Sequence, residues 1–405
     1  MAQMDHSNQP LIVDNVDEDR YSRLRLIPWW DQDKLSRAKV MVVGTGALGN
    51  EILKNLALLG VGNILIIDMD RIENSNLSRS ILFREKDEGE MKSQVAAAAV
   101  QAINPDCRTA WLQADVNYAV GLGLFHWADV VLGGLDNREA RLAINQACWK
   151  VGTPWIDGAI EALFGIARVF VPPGGACYEC TMNDNDYRLL NFRKSCSLLT
   201  KSEMVSGKVP TTPTSASIIA GVQVQEAVKL IHQRADLPTL ASKGWFYNGL
   251  THDSYVVEYP RREFCPSHES YQFIKSVPIS AGDTTVMHML ELIRAEIGES
   301  AVICLDHDLI VSLECTRCRL HTPLFRPLGS VSEDDARCAS CGNIRTPHLV
   351  QQITGSESFV HLTLAEIGIP RFDIVTGVNG EATCHIELAG DAAETLPGLM
   401  IDGDR

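Results

Sequence analysis

Three sets of residues in this 405-residue chain carry chemistry by their type and spacing. The plainest is Cys315-Thr316-Arg317-Cys318 with Cys338-Ala339-Ser340-Cys341, two Cys-x-x-Cys pairs separated by 19 residues. Four thiolates at that spacing fit a closed tetrahedral zinc site, which has no open position and is therefore structural. Cys177-Tyr178-Glu179-Cys180 is a further pair of the same kind, half of a metal site by itself. The third set, Gly44-Thr45-Gly46-Ala47-Leu48-Gly49, has the form G-x-G-x-x-G. Glycines there let a ligand approach the backbone, and a helix opening at that point turns amides and positive potential toward phosphate. Asp68 follows 19 residues after Gly49, placed to take ribose hydroxyls. The motif alone does not separate NAD from ATP.

These residues work only if particular elements hold them. Val40 to Val43 is a short β-type run that ends in the glycines, and Leu48, Ile52, Leu56 and Leu59 give Ala47 to Leu59 helical spacing. Ile64 to Ile67 is a second buried strand ending at Asp68. The alternation continues with helices at Met91 to Ala102 and Asn137 to Lys150, and strands at Thr109 to Leu112 and Asp129 to Leu132. Trp155-Ile156 and Gly165 to Val171 read as later strands, Ser215 to His232 as a long helix, and Gly244 to Tyr259 as two strands around Asn248-Gly249. This order predicts an α/β, doubly wound (Rossmann-like) parallel sheet. Beyond His268 the pattern shifts to a helix at Val286 to Ile297, a strand at Ala301 to Leu313, and a short helix with strands over His361 to Leu388. We therefore expect a flexible acidic tail over 1–19, the doubly wound unit over 20–270 and a smaller α+β zinc-bearing unit over 271–405, with Ala392 to Arg405 loose.

The charge balance narrows the partners. Lys and Arg number 36 against 51 Asp and Glu, a net charge of −15, which argues against nucleic acid or an anionic membrane surface. No uncharged apolar run reaches the length of a membrane span, and Met1 to Arg20 lacks the apolar core of a signal peptide. The expected compartment is cytoplasmic, so the 12 Cys read as metal ligands, catalytic thiols or core residues before disulfides. Cys148 and Cys304 sit in apolar patterns and are expected in the core, while Cys107, Cys196 and Cys384 remain over.

Downstream of the glycine loop, Asp68-Met69-Asp70, Asn76-Leu77-Ser78-Arg79-Ser80, Met91-Lys92-Ser93 and Gly133-Gly134-Leu135-Asp136-Asn137 form a series. Together they resemble the ThiF/MoeB and ubiquitin-activating enzyme superfamily over residues 20–268. The resemblance implies ATP, with Gly44, Gly46, Gly49, Asp68, Asp70 and Asn76 around the nucleotide, Arg79 and Lys92 on its phosphates and Asp136 on Mg²⁺. The charges suit that reading, since adenylation must stabilise triphosphate oxygens whereas a hydride carrier needs no ring of cations. Arg20-Tyr21-Ser22-Arg23 resembles the superfamily's Arg-Tyr-x-Arg, whose second Arg, here Arg23, reaches ATP of the partner subunit in a homodimer. Relatives complete the Cys177–Cys180 pair with another Cys-x-x-Cys. In its place stands Cys265-Pro266-Ser267-His268, implying a zinc site of Cys177, Cys180, Cys265 and His268. Cys196 falls in the crossover region that holds the reactive Cys of ubiquitin-activating enzymes, near Arg193, Lys194 and Lys201, whose charge favours a thiolate.

The activity implied is ATP-dependent adenylation of the C-terminal carboxylate of a ubiquitin-like protein, thioester formation on Cys196, and transfer to a conjugating enzyme. The competing outcome is a sulfur-carrier protein adenylyltransferase serving molybdopterin, thiamine or thiolation chemistry. Pro210-Thr211-Thr212-Pro213 resembles the ubiquitin-activating branch, and the C-terminal addition is not a rhodanese domain. Compact chains of this type occur in bacterial ubiquitin-like conjugation operons, some linked to antiviral defence. Outside the superfamily, an NAD(P)-binding oxidoreductase and a non-catalytic scaffold are the readings to separate.

Overall fold

The computed structural model describes residues 19–194 and 210–399. Its larger sheet has eight strands in the order β3-β2-β1-β4-β5-β6-β7-β8. These are β1 (Lys39–Val43), β2 (Asn63–Ile67), β3 (Arg108–Leu112), β4 (Val130–Gly133), β5 (Trp155–Glu161), β6 (Phe164–Phe170), β7 (Lys243–Asn248) and β8 (Asp253–Glu258). The first five are parallel and the last three are added antiparallel. Strand β1 is wholly interior because its two faces alternate between two cores. Val40 and Val42 face one core, shared with α2 (Ala47–Leu59), α3 (Lys92–Ile103) and α7 (Pro213–His232). Met41 and Val43 face the other, shared with α4 (Leu122–Trp127) and α5 (Arg138–Val151). A short α1 (Gln32–Arg37) precedes β1, and α6 (Asp184–Lys194) follows the Cys177–Cys180 pair. The chain enters β1 and leaves for β2 on one side and β4 on the other, so the sheet has its topological switch point between β1 and β4.

A second sheet of six strands follows, ordered β11-β10-β13-β14-β9 with β12 also paired to β10. Its members are β9 (Lys275–Val277), β10 (Val302–Glu314), β11 (His321–Pro327), β12 (Thr346–Ile353), β13 (Ile374–Asn379) and β14 (Ala382–Leu388). Helix α8 (Val286–Ile297) buries Val286, Met289, Leu290 and Ile293 against it. The 13-residue β10 accepts three neighbours because it is irregular: its beginning pairs with β13, its end with β11, and β12 runs along its other edge.

Several expectations need correction. The turn between β7 and β8 is Gly249 to His252 rather than a two-residue Asn248-Gly249 turn, because Asn248 pairs with Asp253 and His252 takes the left-handed conformation. No helix forms between His361 and Leu388; turns precede β13 there, and the short helix lies later, at α9 (Ala392–Thr395). Ala392 to Leu399 is not loose. Ala392, Leu396 and Leu399 are buried in the same core as Leu122, Phe125 and Trp149. The connections α4, α6, β9, β11 and β12 went unread because they are short, amphipathic only through tertiary contacts, or crowded with Cys and Pro. Of the tail expected over 1–19, residues 1–18 lie outside the described residues, as does Cys196.

Candidate nucleotide site and zinc centres

The glycine loop leaves β1 at the switch point, and its glycines do different work. Gly44 takes φ +87°, and a Cβ there would meet the Gly134 carbonyl oxygen at 2.6 Å. A Cβ on Gly49 would lie 1.9 Å from the Gly44 carbonyl oxygen. These two are packing glycines that draw β1, α2 and the end of β4 together. Gly46 is open, with no atom within 4 Å of where a Cβ would stand, and it caps α2 without a side-chain hydrogen bond. The space beside Gly46 at the start of α2 is thus clear, and the free amides of a helix's first turn give such an end an affinity for phosphate.

Buried polar groups hold the loop in shape. Asp68 accepts from the Thr45 amide and hydroxyl at 2.6 and 2.7 Å through Oδ2, and from the Asp70 amide at 2.8 Å through Oδ1. Its carboxylate therefore anchors the loop. Asn50 donates to the Thr45 and Gly46 carbonyls and accepts from the Leu82 amide at 2.8 Å, tying the loop to the Arg79–Leu82 segment. Gln223 of α7 donates to the Gly133 carbonyl at 2.9 Å. Asp157, fully buried on β5, accepts from Arg141 Nε at 2.8 Å and Arg168 Nε at 2.9 Å. Burial would raise its carboxyl, but the two guanidinium groups outweigh that and hold it below the ordinary value. Arg141 also donates to the Leu135 carbonyl at 2.6 Å, fixing the segment before Asp136. Sequence reading missed Asn50, Arg141, Asp157, Arg168 and Gln223. Their signal was a polar side chain at a core-facing position of a helix or strand.

The charged candidates come from successive connections after the strands. Lys92 at the start of α3 is largely buried and pairs with the exposed Asp70 at 2.8 Å. Asn76 is spent on local structure, accepting from the Glu73 amide at 3.0 Å, and Arg79 donates to the Ser75 carbonyl at 2.6 Å. Asp136 is exposed just before Asn137, whose side chain caps α5 through the Ala140 amide at 2.8 Å. Arg23 is exposed, and its neighbour Tyr21 lies at the opposite end of α2, where Gly60 abuts its ring and Asn104 donates to its hydroxyl at 2.7 Å. The 13 residues of α2 separate that anchor from Gly46 by about 20 Å.

Each four-residue cysteine set gathers in space. In the first, Cys177 lies 3.7 Å from Cys180 and 3.5 Å from Cys265, and Cys180 lies 3.4 Å from His268 Nε2. In the second, Cys315 lies 3.6 Å from Cys341. All four ligand atoms of each set fall within 4.8 Å of one another. Zinc–sulfur bonds of about 2.3 Å at tetrahedral angles put sulfurs about 3.8 Å apart, so both groups fit zinc. His268 stacks on Trp149 with centroids 4.8 Å apart, while its buried Nδ1 has no protein hydrogen-bond partner among the described residues. Stacking thus orients this ring where a hydrogen bond commonly would. No described helix is long and apolar enough to cross a membrane.

The glycine loop opens at the switch point of a doubly wound sheet, the place where folds of this class bind ligands. The profile of the ThiF family matches residues 18–267, and the chain belongs to that family. It is 36% identical over 170 residues to the sulfur carrier protein adenylyltransferase of Thermus thermophilus, covering 40% of this chain and 63% of that protein. It is 29% identical over 287 residues to the SAMP-activating enzyme E1 of Haloferax volcanii, covering 67% of this chain and 98% of that protein. The match to the Thermus protein thus spans under two thirds of that relative. The crystal structure of E. coli MccB with ATP shares the fold, with a TM-score of 0.52 at 24% identity over 63% of this chain and 75% of that one.

Proposed function

We propose that this chain adenylates the C-terminal carboxylate of a ubiquitin-like protein and then takes the acyl group onto Cys196 for transfer to a conjugating enzyme. The observation that carries the first step is the open cradle at Gly46, with Arg79, Lys92 and Asp136 on the connections that follow it in the chain. In that step a carboxylate oxygen forms a bond to the α-phosphorus of ATP and pyrophosphate leaves. The first-turn amides of α2 and the cations Arg79 and Lys92 stabilise the phosphate charge. Asp136 would hold Mg²⁺, which neutralises phosphate oxygens when bound. In the second step the Cys196 thiolate bonds to the acyl carbon, the acyl–oxygen bond to phosphate breaks, and AMP leaves with the electron pair. The two cysteine sets serve as structural zinc sites.

The unit we propose is a homodimer in which Arg23 serves the partner's site. The anchoring of Tyr21 at the far end of α2 supports this, because it holds Arg23 away from its own chain's cradle. The Thermus relative, named a sulfur carrier protein adenylyltransferase, favours the second reading, in which the adenylate goes to sulfur transfer without a conjugating enzyme. The relatives' names, activating enzymes and adenylyltransferase, support adenylation in both cases.

A non-reducing gel of enzyme, ATP·Mg²⁺ and the source organism's ubiquitin-like proteins ending in glycine separates the two. The thioester reading predicts an adduct that reductant removes and that Cys196→Ala lacks, with pyrophosphate exchange retained. No adduct from the wild-type chain, with exchange intact, favours sulfur transfer instead.

A further inference from the structure

The second sheet touches the nucleotide-binding unit close to the start of α5. Tyr118, between β3 and α4, is half-buried and donates its hydroxyl to Glu139 Oε1 at 3.2 Å. Glu139 lies in the first turn of α5, behind the Asn137 cap and three residues after Asp136. The turn Leu328–Ser330, which follows β11, closes directly onto the same hydroxyl, since a Cβ on Gly329 would sit 2.0 Å from it. His307 of β10 meets the Tyr118 ring edge-on with centroids 5.2 Å apart. Leu328 in turn packs against the small core of Ile310, Leu313, Val331 and Ala336, whose members flank the Cys315–Cys318 pair in the chain and end just before Cys338. A continuous set of contacts therefore runs from the cysteine-rich turns to the first turn of α5.

We infer that Tyr118 is a positioning residue, clamped by Gly329 and His307 of the second sheet, that holds the α5 first turn and so sets Asp136 for Mg²⁺. This rests on the adenylation reading, in which Asp136 is the metal ligand. Tyr118 itself touches neither nucleotide nor metal. It acts through Glu139, whose Oε1 accepts from the phenol at 3.2 Å in the first turn of α5. Gly329 is required because any side chain would push the phenol off that acceptor.

The test is calorimetric titration of the full chain with AMP-PNP, in Mg²⁺ and in EDTA, with melting curves as a check on folding. Tyr118→Phe should weaken binding in Mg²⁺ by about fivefold or more, the scale of one hydrogen bond to a charged acceptor, and leave binding in EDTA unchanged. Gly329→Ala should do the same, and the double variant should be no worse than either, because both break one contact. Glu139→Gln keeps an acceptor oxygen without its charge and should lose less affinity in Mg²⁺ than Tyr118→Phe. Wild-type affinity of Tyr118→Phe and Gly329→Ala in Mg²⁺ would overturn the inference. So would equal losses in Mg²⁺ and EDTA, which mark a general disturbance of the fold. Failure of the wild-type chain itself to bind Mg²⁺·AMP-PNP would instead overturn the adenylation reading beneath it.

Discussion

Asp157 is fully buried between Arg141 and Arg168, and the stability of this trio depends on all three remaining. Its only mark in the sequence is a charge at a core-facing strand position, since its partners lie on a helix and the adjacent strand. The cysteine sets were legible for the opposite reason: their local spacing already satisfies half of a tetrahedron. The partnership of Cys177 and Cys180 with Cys265 and His268, separated by 84 residues, was legible only through the family resemblance, and the fold brings the four together. The metal content follows directly from these ligands. Elemental analysis of the purified chain should give about two zinc ions. Cys177→Ser and Cys338→Ser should each lower the count to about one, because neither site shares a ligand with the other. A folded chain without zinc would refute both centres.

Elements with one dominant face were legible almost to the residue. The spacing of Leu48, Ile52 and Leu56 placed α2, and Val286 to Ile297 appeared as read. The mirrored burial of β1 explains why its run is continuously apolar, as a parallel strand covered on both faces must be. Short connections such as α4 and β9 have no period long enough to read, and β11 contains Pro323 and Pro327. The glycines of the loop are the sharpest case of sequence understating structure, because the motif treats as equivalent three positions that are not. Gly49→Ala must displace the Gly44 carbonyl and should unfold or markedly destabilise the loop, seen as a lower melting temperature. Gly46→Ala has room for its methyl and should melt like wild type, yet lose affinity for AMP-PNP because that methyl occupies the cradle. Equal melting and equal binding in the two variants would contradict this division.

At the scale of the whole molecule the two sheets are joined by a polar seam over an apolar one. The Leu122 amide donates to Asp373 at 2.7 Å, Lys150 pairs with Asp306 at 2.6 Å, and Leu396 and Leu399 bury into the larger unit's core. Burial pushes the Asp373 carboxyl up to about 7, with the Leu122 amide pulling the other way. A carboxyl raised on folding binds its proton more tightly in the native state. Its contribution is therefore complete below the ordinary Asp range and declines as pH rises toward 7. Asp373→Asn keeps an oxygen to accept from Leu122 and removes the titration. It should match wild type in stability near pH 4 and exceed it near pH 8, by on the order of 2 kcal/mol in denaturant melts. A pH-independent difference would mean that Asp373 is not held protonated by the seam. The seam also explains why the end of the described chain is ordered although its composition reads as a tail.

Adenylation is the claim on which the rest depends, and ATP–pyrophosphate exchange tests it most directly. The full chain is incubated with ATP·Mg²⁺, labelled pyrophosphate and each ubiquitin-like protein of the source organism that ends in glycine. Exchange should appear with one such protein, vanish when its C-terminal carboxylate is amidated, and fall by at least about 10²-fold in Lys92→Ala and Asp136→Ala. Exchange that survives in both variants, or an absence of exchange with every such protein while the chain binds NAD, would contradict the account.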